Sequence, residues 1–280
     1  MKYFPVAATA IVTAAALAAA SWAGTLSLTA VVVVLCGVVA LGWPQLMGVE
    51  ARKSLSAVIL LSGVVAALGS AVVERAESLF FWSSVALAFG VMSVFVIQVV
   101  RGTGQPQRLE STIGACGGVV ITTTAAGWVS GLRYPAELVS VHQADSRGLL
   151  AVRGLFHYED SAILAVTGTD GELSVVGLAA MTLVASALAA CLPIRDAIAL
   201  PLVVLVGAGA GMTLGVLWGE LTLLFVGILG VAAGMLMASF RRFLILRGPP
   251  QGTLAACAVG GAPIAAMGAV VYFTERLLFV

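Results

Sequence analysis

The stretch LSLTAVVVVLCGVVALGW, residues 26–43, runs from Leu26 to Trp43 without a charged side chain. About 20 apolar residues are what a helix needs to cross the hydrocarbon of a bilayer. Outward from it the pattern repeats. Runs of comparable length and polarity occupy residues 6–22, 55–73, 79–100, 113–129, 175–192, 197–218, 221–240 and 254–273. None carries an Asp, Glu, Lys or Arg at mid-span. Lipid offers no partner to a bare backbone, so such runs must be helices. The sequence therefore predicts an all-α membrane protein with nine transmembrane helices.

The composition excludes the competing classes. Of 280 residues, 61% are hydrophobic and 10% charged, where a soluble domain carries about 25% charged residues. The net charge is +1, with no basic tract for a nucleic acid to follow, so no nucleic-acid partner is expected. Cys36, Cys116, Cys191 and Cys257 each fall in an apolar run and read as buried small hydrophobes. Their spacing matches no metal motif, and no metal or cofactor is expected. The cationic residues are twelve Arg and two Lys beside abundant Ala, Val and Gly, a bias that points to a high-GC bacterial genome.

Positive residues set the orientation. With the N-terminus in the cytoplasm, the inner side holds Lys2, Arg52, Lys53, Arg101, Arg108, Arg195, Arg241, Arg242 and Arg247. The outer side holds Arg75, Arg133, Arg147, Arg153 and Arg276, together with ten of the acids, only Glu50, Glu110 and Asp196 falling inside. The expected location is the bacterial cytoplasmic (inner) membrane, N-terminus inside and C-terminus outside. Trp22, Trp43, Trp82, Trp128 and Trp218 fall at span ends, where interfacial aromatics belong. Residues 1–24 also read as a signal-like segment, with Lys2 before an apolar stretch and Ser21-Trp22-Ala23 as a small-x-small site.

Sliding the chain on itself by 146 positions matches Gly63 with Gly209, Leu68-Gly69 with Leu214-Gly215, Glu74 with Glu220, Arg101-Gly102 with Arg247-Gly248, and Gly114 with Gly260. This predicts a parallel internal repeat in a 1+4+4 arrangement: a first helix (1–24), unit A (25–130), an extracytoplasmic cap (131–174) and unit B (175–280). In the cap, Thr167-Gly-Thr-Asp-Gly171 between Ile163-Leu-Ala-Val and Glu172-Leu-Ser-Val predicts a β-hairpin.

The candidate substrate site follows from the repeat. Gly117 and Gly118 in span five and Gly260, Gly261 and Pro263 in span nine weaken helices at related positions, and Thr122, Thr123 and Thr124 add hydroxyls. Paired broken helices in repeat transporters mark the substrate site, so these segments are expected to be irregular and to share a cavity. Against that stands simple close packing, with the Thr hydroxyls bonding back to the backbone. Glu74 and Glu220 are candidate coupling acids. Arg101 and Arg247 are candidate ligands of a lipid headgroup. Gly207, Gly211, Gly215, Gly230 and Gly234 recur at small-xxx-small spacing and read as helix-contact residues. His142 and His157, near Glu159 and Asp160, fit no metal motif.

The chain resembles, in its Ala/Val-rich spans, its Gly-Trp-Pro-Gln turn at Gly42, Trp43, Pro44 and Gln45, and its Arg-dominated inner face, uncharacterised multi-pass membrane proteins of actinobacteria. That resemblance implies a membrane protein and transfers no functional residue. The leading expectation is a transporter-like or flippase-like protein for a lipidic or small envelope substrate, with membrane lipids as partners. The second is a non-transporting scaffold for an envelope-assembly protein partner. The near absence of polar groups in the spans leans away from an enzyme.

Overall fold

The computed structural model describes residues 4–48, 52–73, 78–101, 108–134, 174–218 and 223–278. Among these residues all regular secondary structure is helical. The helices are α1 (Phe4–Trp22), α2 (Thr25–Leu46), α3 (Arg52–Val72), α4 (Phe81–Val100), α5 (Arg108–Thr124), a short α6 (127–134), α7 (Val175–Ala190), α8 (Asp196–Trp218), α9 (Leu223–Arg247) and α10 (Thr253–Leu278). Among the described residues eight segments are long and apolar enough to cross a membrane, α5 and α6 together forming one of them, Leu109–Tyr134. The chain is a multi-pass membrane protein on that ground.

The remaining predicted span, α7, has 16 residues, about 24 Å at the rise of a helix and short of a hydrocarbon core of about 30 Å. It is buried on nearly every side. Ser174 caps its start, accepting from the Gly177 N–H at 3.1 Å.

α10 is the centre of the bundle. It packs on α2 and α1 and touches α5, α7 and α9. Of its apolar window 72% is buried, against 28% for α4 and for α8, which face outward. α3 and α4 form a hairpin on one flank, against α2 and α5. α8 and α9 form another on the opposite flank, against α7, with α9 also reaching α10. Here the glycines predicted as contact residues behave as such. A Cβ on Gly207 would overlap the Gly230 carbonyl, one on Gly211 the Val226 carbonyl, and one on Gly234 the Val204 backbone.

Contacts between helix ends sort the molecule into two poles. At one pole Leu46, Ala190, Asp196, Arg247 and Leu254 gather; at the other stand Trp82, Tyr134, Val175 and Glu275. Successive helices alternate in direction between them.

The packing does not follow the order that a parallel repeat requires. α3 packs on α5, but α8 makes no comparable contact with α10; α9 packs on α7, but α4 makes none with α2. Neighbours agree only if the second set is read backwards, α2 with α10 and α5 with α7, which a tandem duplication does not produce. The matched glycines diverge too. Gly63 presses on Cys36 and Thr122, whereas Gly209 faces open space.

Three further expectations are corrected. Gly42–Gln45 is not a turn, because α2 continues through Pro44 to Leu46. Trp43 and Trp128 are buried and not interfacial, unlike Trp22 and Trp82. Cys191 is exposed, while Cys36 is buried as expected. Glu74, Glu220, His142, His157 and the predicted hairpin lie outside the described residues.

Candidate functional site

α5 is an unbroken helix through Gly114, Gly117 and Gly118, and α10 is unbroken through Gly260, Gly261 and Pro263. The expected irregularity lies elsewhere. At Ala125 and Ala126 the helical ladder tightens, with Ala126 N–H donating to Thr123 O and Trp128 N–H to Ala125 O. The cause is a backbone-to-backbone crossing. Gly127 sits so close to Gly268 of α10 that neither position admits a Cβ. Trp128 locks the crossing by donating its indole N–H to Ile264 O at 2.8 Å.

The two glycine segments share a neighbour, α2. Gly118 faces Ile59 and Trp43, and Gly114 faces Met47. Gly260 lies on the Val6 carbonyl of α1, and Gly261 on Leu35 of α2. α2 thus stands between them. The threonines satisfy themselves on the backbone. Thr122 Oγ1 donates to Ile59 O at 3.0 Å, a link from α5 to α3, and Thr123 Oγ1 to Val119 O at 2.8 Å. Pro263 is buried within α10.

A cavity of about 670 Å³ does open at the pole of Arg247. Its walls are the end of α2 (Gln45, Leu46, Gly48), the end of α9 (Phe243, Leu246, Arg247) and the link through Gly248, Pro249, Pro250 and Gln251. The link can fold back sharply because Gly248 and Gly252 hold φ of 86° and 104°, values that side-chain-bearing residues rarely adopt. Arg247 donates from Nη2 to Leu46 O at 3.2 Å, tying α9 to the end of α2. A guanidinium has five N–H donors, more than one carbonyl can take. Phe243 stacks on Trp43 at 6.2 Å, and Trp43 donates to Gly114 O at 2.9 Å, so the apolar wall is anchored to α5. Arg101 is exposed at the end of α4 and does not line this cavity.

Nearby, Arg241 holds the end of α7. Its guanidinium donates to the carbonyls of Ala190, Leu192 and Ile194, and lies 3.5 Å from the Asp196 carboxylate. These are carbonyls that a helix end leaves without partners.

At the opposite pole stands a residue that the sequence reading passed over. Glu275, on the last turns of α10, is fully buried. Neither carboxyl oxygen has a hydrogen-bond partner, and the same is true of Ser70 Oγ on α3. Gly131 of α6 faces the carboxyl so closely that a Cβ there would stand 3.0 Å from Oε2, with Val271 and Val176 beside it. Arg133 Nη1 donates to Ser70 O at 2.7 Å, and Arg276 Nη1 to Tyr272 Oη at 3.2 Å. Tyr272 packs between Phe80 and Tyr134. The signal in sequence was Tyr272-Phe-Thr-Glu-Arg276, an acid just past an apolar run, which reads equally well as a solvated loop.

Among the described residues no group of three His, Cys, Asp or Glu stands close enough to hold a metal ion. Comparison with known proteins finds no family model, no curated protein and no solved structure that matches this chain, so its function must be argued from these two poles.

Proposed function

We propose that this protein binds an anionic lipid of the bacterial cytoplasmic membrane at the Arg247 cavity and acts on it as a transporter-like or flippase-like protein. The observation that carries the reading is the composition of that cavity. Leu46, Phe243 and Leu246 form an apolar side, and Gln45, Arg247 and Gln251 a polar one. That division suits an amphiphile with a charged headgroup. Leu246 is largely exposed, which gives an acyl chain an apolar path outward. The orientation fits as well. With the Arg247 pole cytoplasmic, Lys53, Arg101, Arg195, Arg241, Arg242 and Arg247 lie inside, and Arg133 and Arg276 outside.

The test is lipid retention by the purified full chain in nanodiscs that mix an anionic phosphatidylglycerol with a zwitterionic lipid. Native mass spectrometry should find the anionic lipid enriched on the wild type. Arg247→Gln should lower its retention about tenfold, the equivalent of about 1.4 kcal/mol for one charge-assisted contact, and Arg247→Lys should restore part of it. Equal retention of both lipids by wild type and Arg247→Gln would remove the reading.

The second reading is a non-transporting scaffold for an envelope-assembly partner. The close crossings favour it. Gly127 on Gly268, Gly42 on Leu254 and Gly260 on Val6 leave no room between α10 and its neighbours. A chain that moves no labelled lipid in vesicles and purifies with a stoichiometric membrane partner would support it.

A further inference from the structure

We infer that Glu275 is a proton-binding site, holding a proton on its carboxyl when the pole is closed and releasing it when water reaches the pole. A carboxylate taken from water without a partner costs several kcal/mol, and among the described residues no hydrogen bond to either oxygen offsets that cost. Among the described residues, the cations of the neighbouring turns hold other partners, Arg133 the Ser70 carbonyl and Arg276 the Tyr272 hydroxyl. Among the described residues, the titratable and charged groups at this pole are Arg133 and Tyr134 from α6, and Tyr272 and Arg276 from α10 itself. The first turn of α7 brings Ser174, Val175 and Val176, and α1 has no ionisable side chain. A metal cation is the poorer occupant. The surfaces against the carboxyl are Gly131, Val271 and Val176, whereas hard cations gather about six oxygens. The position is also shaped for this side chain, since any residue larger than glycine at 131 would crowd Oε2.

An ionisable residue buried at the end of a spanning helix is a candidate functional group, and α10 gives this one a route to the other pole. The same helix starts at Thr253, beside the Arg247 cavity, and carries Glu275 in its last turns. The proton site stands on its own geometry; its use as the coupling site of lipid movement rests on the function proposed above. Chemically the step is minimal. A proton passes from water to a carboxylate oxygen and back, and no other bond changes.

The experiment is modification by dicyclohexylcarbodiimide, an apolar reagent that adds to protonated carboxyl groups, on the full chain in nanodiscs. Peptide mapping should place the adduct on Glu275 at about pH 6. The rate should fall by about tenfold per pH unit once the carboxyl ionises, and Glu275→Gln should lose the adduct. Gly131→Ala, which narrows the space, should slow the reaction if the closed geometry is correct. Failure to modify Glu275, a rate independent of pH, or protection by sodium ion would overturn the inference. Arg247→Gln separates the two claims. It should weaken lipid retention and leave the Glu275 adduct unchanged, so a failure of the lipid reading leaves the proton site standing.

Discussion

Gly117 and Gly118 are adjacent in α5 and meet opposite surroundings. A Cβ on Gly118 would stand 2.7 Å from Ile59 Cδ1 and 2.8 Å from Trp43 Cδ1, while one on Gly117 would find nothing nearer than Trp43 Cζ2 at 4.0 Å. Trp43 cannot yield easily, because its indole is bonded to Gly114 O and its ring stacks on Phe243. Gly118→Ala should therefore cost about 1–3 kcal/mol through overpacking. Gly117→Ala should be neutral, or stabilise by up to about 1 kcal/mol through helix propensity. Thermal unfolding in detergent checks both. Equal effects of the two changes would mean that α5 presents another face to α2. Position 118 is thus a packing residue, whatever its neighbour does for a ligand.

At the scale of elements, α7 is the helix most dependent on others. It is short for the bilayer and is held at each end by side chains, Ser174 at its start and Arg241 of α9 at its finish. Arg241→Ala would leave the carbonyls of Ala190, Leu192 and Ile194 without that donor, at a cost of about 1–3 kcal/mol for orphaned backbone groups. Hydrogen exchange should then rise in 191–195 well before it rises in α9 or α10. Exchange that rises throughout the chain at once would show that α7 and the core open as one unit.

Cys191, just past the end of α7, reports on the same corner. Partial desolvation of its sulfur, on a residue otherwise exposed, pushes its thiol above the usual range, and the Arg241 charge partly offsets this. Only the thiolate reacts with maleimide, so little reacts at neutral pH and the labelling rate should climb as pH rises through and beyond the ordinary thiol range. A flat profile between about pH 7 and pH 9 would contradict a raised thiol.

For the whole molecule, the prediction is sidedness. If the Arg247 pole is cytoplasmic, a membrane-impermeant maleimide at high pH should modify Cys191 in inside-out vesicles and spare it in right-side-out ones. The reverse pattern would invert the molecule, placing the lipid cavity outside and Glu275 inside. Both polar features would then exchange compartments, because α10 fixes them at opposite ends.

The chain alone determined where the helices run. Hydropathy is a sum along the sequence, and lipid enforces it, so the apolar runs became helices close to the expected positions. The small-residue stripes of α8 and α9 were equally legible, because i, i+4 spacing on a helix is fixed before any partner is chosen. Burial is a property of pairs of helices and was decided only by tertiary packing. Trp43 and Trp128 sit at span ends in sequence and inside the bundle in space, because α9 and α10 cover them. The break in span five falls at Ala125–Ala126 and not at Gly114–Gly118, because that is where α10 crosses. Glu275 reads as one more outer acid until α6 and α7 close over the end of α10, and that enclosure takes away the water its charge would need.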